Sequence, residues 1–297
     1  MDSQKLVNFV NWFKEETGEV EIFERLEIKK FDGYGYGMAC KEREKFKNND
    51  FLLKIPNHVF LSYGNLKKKF PEFLEILGFS DEKRDELINK GIKVGPSENN
   101  INFPSKKIIE EALLTLFLIY CKKNKRKKHY WKSYTDLLVG LSTQGSLAEI
   151  NSWDENKNLK HDCLCVFLVV KNFISNIKNK NYRSYFYSIE DEMENETKNI
   201  RDLLYVWAYS IISSRSSNTT DFLGGSLGDT FLVPLLDFFN HRKTNSFQIK
   251  YNENNYDAFL VYNKSEKDEK KTLFNTGEQI FIDYGEYQYL YPYGKLK

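Results

Sequence analysis

Phe231-Leu-Val-Pro-Leu-Leu-Asp-Phe-Phe-Asn-His-Arg242, read with Thr276-Gly-Glu-Gln-Ile-Phe-Ile-Asp-Tyr-Gly285 a few dozen residues later, decides how this chain folds. The first stretch sets Asp237, Asn240 and His241 in an otherwise apolar segment. A polar side chain buried without a partner costs a few kcal/mol, so the fold must bring partners to all three. The second stretch reads as a strand that ends in a tyrosine. Gly277-Glu278 is a turn signal, strand alternation puts Ile280, Ile282 and Tyr284 on one face, and Gly285 then frees the backbone to bend.

Other stretches surround this pair. Gly33-Tyr-Gly-Tyr-Gly37 alternates three glycines, which permit positive φ and close approach of a ligand to the backbone, but it lacks the strand and helix flanks of a dinucleotide fingerprint. Phe51-Leu-Leu-Lys-Ile-Pro56 reads as a buried strand stopped by proline. Phe247, Ile249 and Tyr251, then Ala258, Leu260 and Tyr262, alternate with their neighbours and predict a hairpin across Asn252-Glu-Asn-Asn255. Leu6, Phe9, Val10 and Phe13 predict a short N-terminal helix. Val20 with Ile22, and Leu26 with Ile28, predict a pair of strands.

From Asn65 to about Lys198 the pattern is helical. Pro104-Ser105 opens a helix whose stripe holds Ile108, Ile109, Ala112, Leu113, Leu116 and Tyr120. Asp162 caps a helix that continues through Ile177. Ile200 to Ser214 shows one wide buried face, and the same register carries Arg215 onto it, where the cation needs an anion or the helix's own last carbonyls. The run Lys122-Lys-Asn-Lys-Arg-Lys-Lys128 has two readings: cations meeting a helix C-terminal dipole, or a signal for nuclear import or an acidic partner.

Composition narrows the class. The 297 residues carry Lys+Arg 44 against Asp+Glu 42, a formal net charge of +2, which disfavours nucleic acid as the main partner. The longest apolar run, Ala112 to Tyr120, is too short to cross a bilayer, and Met1-Asp-Ser-Gln-Lys5 is no secretory signal, so the expectation is an intracellular protein, cytoplasmic or nuclear. Cys40, Cys121, Cys163 and Cys165 lack the spacing of a zinc quartet.

The two opening stretches together resemble the C-terminal half of a SET domain, whose signatures are an Asn-His pair and a later Gly-Glu strand ending in Tyr-Gly. Gly35-Tyr-Gly-Met38, Asp50-Phe-Leu-Leu-Lys-Ile-Pro56 and Trp207-Ala-Tyr-Ser-Ile-Ile-Ser-Ser-Arg-Ser216 are similar to upstream pieces of the subfamily that includes the Rubisco large-subunit lysine methyltransferase and the actin histidine methyltransferase. That resemblance implies an α+β SET fold of small sheets with a knot-like C-terminal crossing and a large helical insert. The expected division of this single unit is an N-terminal SET segment over residues 1–60, an insert over residues 61–200 and a C-terminal SET segment over residues 201–297. The subfamily's helical substrate-docking domain has no counterpart before Lys297.

The same resemblance implies S-adenosylmethionine as cofactor, held by Gly35, Tyr36, Gly37, Asp50, Phe51, Leu52, Arg215, Asp237, Asn240, His241 and Tyr284. Tyr284 is in addition the catalytic hydroxyl that orients the acceptor amine. The expected activity is protein-lysine N-methylation, with no metal, on a lysine-bearing protein such as a histone or a cytosolic protein. Two alternatives stand beside it. One is histidine as acceptor, since an imidazole of pKa about 6.5 is mostly neutral at pH 7. The other is a SET-like scaffold that binds cofactor or peptide without catalysis.

Overall fold

The computed structural model describes residues 3–32, 35–90, 105–140, 157–184, 186, 204–218, 229–242, 247–252, 254–255, 257–262 and 273–283. They form two compact units, Leu6–Phe60 with Val233–Lys297, and Met1–Lys5 with Leu61–Leu232.

The first unit opens with most of α1 (Ser3–Thr17), where Phe9 and Phe13, one turn apart, are fully buried. Phe9 also packs on Phe238, with ring centroids 5.8 Å apart. Gly18 ends the helix at φ +74, its N–H donating to Lys14 O at 2.9 Å. The predicted strand at Val20 and Ile22 is not there: Ile22–Arg25 is a single helical turn, α2. Ile22 and Phe23 are adjacent and both buried, which a turn of helix allows and strand alternation forbids.

Strands β1 (Leu26–Phe31) and β2 (Gly35–Cys40) pair antiparallel along their whole length. The short β3 (Glu44–Lys45) and then β4 (Phe51–Ile55) follow. The second unit supplies β5 (Leu61–Ser62), β6 (Ser216–Asn218) and β7 (Thr230–Leu232), after which the chain returns as β8 (Asn240–His241), β9 (Phe247–Tyr251), β10 (Ala258–Tyr262), β11 (Leu273–Phe274) and β12 (Gln279–Ile282). In the first unit these make sheets of order β1-β2-β12-β8, β4-β10-β9 and β11-β3. The expected hairpin is β9–β10. Its turn is tied by Asn252 Oδ1, which accepts from the N–H of Asn254 at 2.8 Å and of Asn255 at 3.4 Å. Phe46, Phe247, Tyr262 and Phe274 meet edge-on or tilted, with centroids 5.1 to 5.9 Å apart, and bind the last two sheets into one core.

The second unit is helical around the sheet β5-β7-β6. Its helices are α3 (Tyr63–Lys69), α4 (Pro71–Leu77), α5 (Asp81–Lys90), α6 (Lys106–Lys123), α7 (Lys132–Gly140), α8 (Lys157–Ser175), α9 (Lys180–Arg183) and α10 (Leu204–Arg215). Ser105 caps α6, accepting from Ile108 N at 3.3 Å. Every residue from Ile109 to Cys121 is buried, so α6 is a central helix covered all round rather than the striped surface helix its sequence predicts. In α10, likewise, Leu204 to Ile212 are all buried. The predicted cap at Asp162 is also corrected: α8 starts at Lys157, which leaves Asp162 inside the helix. Trp131 and Tyr134 are fully buried packing residues. Lys122 and Lys123 occupy the last turn of α6, with Lys122 Nζ 3.9 Å from the centre of the Trp207 ring, the helix-end arrangement of the first reading.

Candidate functional site

The segment that carries Asp237 and Asn240 is shaped by one strained residue. Leu235 sits at φ 77 and ψ −39, a region that costs a residue with a Cβ about 1–3 kcal/mol. It is held there because Leu235, Phe238 and Phe239 are buried to 1% exposure or less, and Phe238 N–H closes a turn onto Leu235 O at 3.1 Å. Asp237 lies half-buried in this turn, and Asn240 leaves it as the first residue of β8.

β12 then inserts between β2 and β8. It runs antiparallel to β2, with Gln279 opposite Ala39 and Ile280 opposite Met38. Against β8 it runs parallel, with Phe281 opposite Asn240 and Ile282 opposite His241. Strand parity separates two faces. Met38, Cys40, Ile280 and Ile282 are fully buried on one. On the other, Gly35, Gly37 and Ala39 of β2 stand beside Gln279 and Phe281 of β12 and Asn240 of β8. Burial pushes the Cys40 thiol up to about 11, with Glu44 and Glu278 adding to the shift, so it is a neutral core residue and no nucleophile.

Two amides meet on the second face. Asn240 Nδ2 donates to the backbone oxygen of Tyr36 at 3.3 Å, which gives this buried-segment asparagine its partner. A Cβ at Gly37 would lie 2.5 Å from Gln279 Nε2, 2.7 Å from Asn240 Nδ2 and 3.1 Å from Phe31. Glycine is therefore needed at 37 because the protein's own amides occupy that space, a reason different from the ligand approach read in the sequence. Gly35, by contrast, is at φ +74 with nothing within 4 Å of its missing Cβ. Gln279 Nε2 is enclosed and has no hydrogen-bond partner among the described residues.

Of the sequence-derived set, the structure brings Gly35, Tyr36, Gly37 and Asn240 together, with Asp237 one turn upstream. Asp50, Phe51 and Leu52 stand apart, at the start of β4 in another sheet. Asp50 accepts from Lys47 N at 2.6 Å, Phe51 is 64% exposed, and Leu52 is buried. Arg215 closes α10 in the other unit, half-buried, its Nε enclosed without an acceptor among the described residues. The backbone of His241 is in β8, while its side chain and all of Tyr284 lie outside the described residues.

The sequence reading missed Gln279 and Arg242, whose guanidinium lies 4.6 Å from the centre of the Phe281 ring. Alternation was the available signal for Gln279, since Ile280 and Ile282 fix the buried face and leave it on the side of Asn240 and Gly37. The face as a whole offers amide donors and a cation, groups that orient a polar, partly anionic ligand rather than shuttle protons.

Neither a protein-family model nor a curated protein sequence matches the chain. The fold does match. A solved structure described as the SET domain of LSMT bound to lysine and AdoHcy is similar with a TM-score of 0.50 at 16% identity, covering 96% of this chain and 54% of that one. A second, with MeLysine and AdoHcy bound, has a TM-score of 0.47 at 16% identity and covers 94% and 53%. The chain thus spans about half the length of these neighbours. The likeness establishes the fold class: the protein has an α+β SET fold, with helices α3 to α10 carried between its N- and C-terminal strands.

Proposed function

We propose that this chain transfers methyl groups from S-adenosylmethionine to a lysine of a protein substrate. The observation that carries the proposal is the cradle on β2, where the Asn240 amide bonds Tyr36 O and the absent Cβ of Gly37 makes room for two amides, within a SET fold. The similar LSMT structure, bound to lysine and AdoHcy, supports both halves of the reading.

The residues present fit the cofactor's amino-acid end. Gln279 Nε2 is an enclosed donor without an acceptor among the described residues, Asn240 lies beside it, and Gly35 leaves open space at the strand's start. Asp50, Phe51, Leu52, Arg215, His241 and Tyr284 enter the proposal through the sequence resemblance alone. When bound, the cofactor supplies a methyl carbon on a positive sulfonium.

The residues around it need to align donor and acceptor and to keep the acceptor uncharged. A lysine of pKa about 10.4 is neutral at pH 7 in roughly one molecule in two thousand, a deficit of about 4.6 kcal/mol. An apolar channel around the side chain disfavours the ammonium form and reduces that deficit without a dedicated base. The Tyr284 hydroxyl would then hold the amine lone pair toward the methyl group.

Calorimetric binding of S-adenosylhomocysteine, together with tritiated methyl transfer to lysate proteins and mass spectrometry of the labelled residue, tests this. The expectation is labelled lysine with wild type and none with Tyr284→Phe. Labelled histidine would reassign the acceptor, and a wild type that neither binds nor labels overturns the proposal.

A further inference from the structure

Gln279 follows the Gly277 turn, where Gly277 N–H donates to Cys40 O at 2.7 Å and Cys40 N–H donates to Glu278 O at 3.0 Å. These bonds fix the register of β12 on β2 and leave the Gln279 side chain no freedom to slide along the sheet. Its Nε2 lies over Gly37, enclosed, and no acceptor for it exists among the described residues. An enclosed amide donor without an acceptor is destabilising. The glycine that makes room for it, in a strand interior, adds a second local cost. An aliphatic residue at 279 with alanine at 37 would avoid both. Two local costs at one point indicate a bound group that recovers them.

That group must present acceptor oxygen. The neighbouring Asn240 amide is already engaged with Tyr36 O, so it does not compete for the same acceptor through that bond. Arg242, two residues beyond Asn240 on the same face and stacked over Phe281, adds positive charge. An amide donor on a face that also carries a cation suits a carboxylate better than a neutral carbonyl.

We infer that Gln279 is a positioning residue whose Nε2 donates to the carboxylate at the amino-acid end of the bound cofactor. This rests on the cofactor reading above. Gln279 sets cofactor affinity and orientation and touches none of the atoms that exchange the methyl group.

A double-mutant cycle between residue and ligand tests it, using S-adenosylmethionine and decarboxylated S-adenosylmethionine, which lacks only the carboxylate, with wild type and Gln279→Leu in titration calorimetry. Gln279→Leu should weaken S-adenosylmethionine about tenfold or more, the weight of a hydrogen bond to a charged group, and leave the decarboxylated ligand within about twofold. Gln279→Glu keeps size and shape and guards against a simple failure to fold. It should weaken the carboxylate-bearing ligand further and spare the other. Equal losses for both ligands would make Gln279 a brace for the sheet and overturn the inference, as would no loss at all. A wild type that binds neither ligand sinks the cofactor reading itself, a result distinct from failure of Gln279 alone.

Discussion

Thr230 donates its backbone N–H to Oε2 of Glu110 at 2.6 Å, joining the first residue of β7 to the second turn of α6. Glu110 is fully buried, its Oε1 has no hydrogen-bond partner among the described residues, and Lys106 Nζ stands 3.8 Å from that oxygen. Burial therefore dominates and raises its carboxyl to about 7, against the lowering effect of the Thr230 bond and Lys106.

A carboxyl raised in the folded state binds its proton more tightly there than in the unfolded chain. Its effect on stability is favourable at low pH and is lost as pH rises from about 4.5 through 7, by on the order of 3 kcal/mol. Glu110→Gln keeps an acceptor for Thr230 and removes the charge. In thermal unfolding the variant should gain on wild type between pH 5 and pH 8. A difference that does not change with pH would disprove it.

His129 should behave in the opposite sense. It packs between Phe70 and Phe117, centroids 5.6 and 5.3 Å away, with its Nε2 3.4 Å from Cys121 Sγ. Burial, then the nearby Lys132 and Lys127 against the opposing Asp136, lowers its pKa to about 4. The neutral ring is favoured in the fold, so its contribution is present above about 6.5 and lost as pH falls toward 4. His129→Phe should gain stability relative to wild type as pH drops from 7 to 4.5, read from denaturant midpoints at each pH.

Leu235 is buried but strained, which separates two truncations that otherwise remove similar contacts. Glycine is usually the worse of the pair by about 1 kcal/mol, but at φ 77 it relieves the strain that alanine keeps. Leu235→Gly should therefore be the more stable of the two by about 1 kcal/mol in urea unfolding. The reverse order would show that the turn relaxes out of this conformation.

Gly37→Ala places a methyl group where Gln279 and Asn240 already are, so it should lower stability by about 1–3 kcal/mol and weaken S-adenosylhomocysteine binding. Combined with Gln279→Ala, which vacates some of that space, it should cost distinctly less than on its own. Strict additivity of the two would mean that the cradle opens freely.

Where alternation runs the length of a strand or a turn signal is clear, the sequence is a faithful guide. The β9–β10 hairpin, the strand from Phe51, the turn at Gly277 and the bond waiting for Asn240 were all legible. Failures fell where distant elements override local pattern. α6 reads as striped because Glu110, Glu111 and Thr115 interrupt its apolar run, yet Thr230 reaches Glu110 from far along the chain and Lys107 lies 3.8 Å from Glu111, and the helix is enclosed from Ile109 to Cys121. At Val20 and Ile22 the alternation resembles the start of a strand, but Ile22 and Phe23 are both buried, which a turn of helix satisfies. Gln279 was passed over because a strand glutamine is ordinarily a solvated residue, and only the pairing of β12 with β2 reveals what lies above it.

The place of β12 has a consequence for synthesis. β2 emerges from the ribosome early, but the strand that completes its far side is made only after the helical unit has been translated. Until Gln279–Ile282 arrive, β2 is a nascent edge with unpaired backbone groups and apolar Met38 beside them, open to pairing with the wrong chain. Chaperone dependence and slow maturation should therefore concentrate in such late-closing seams, this one and that of β4 with β10.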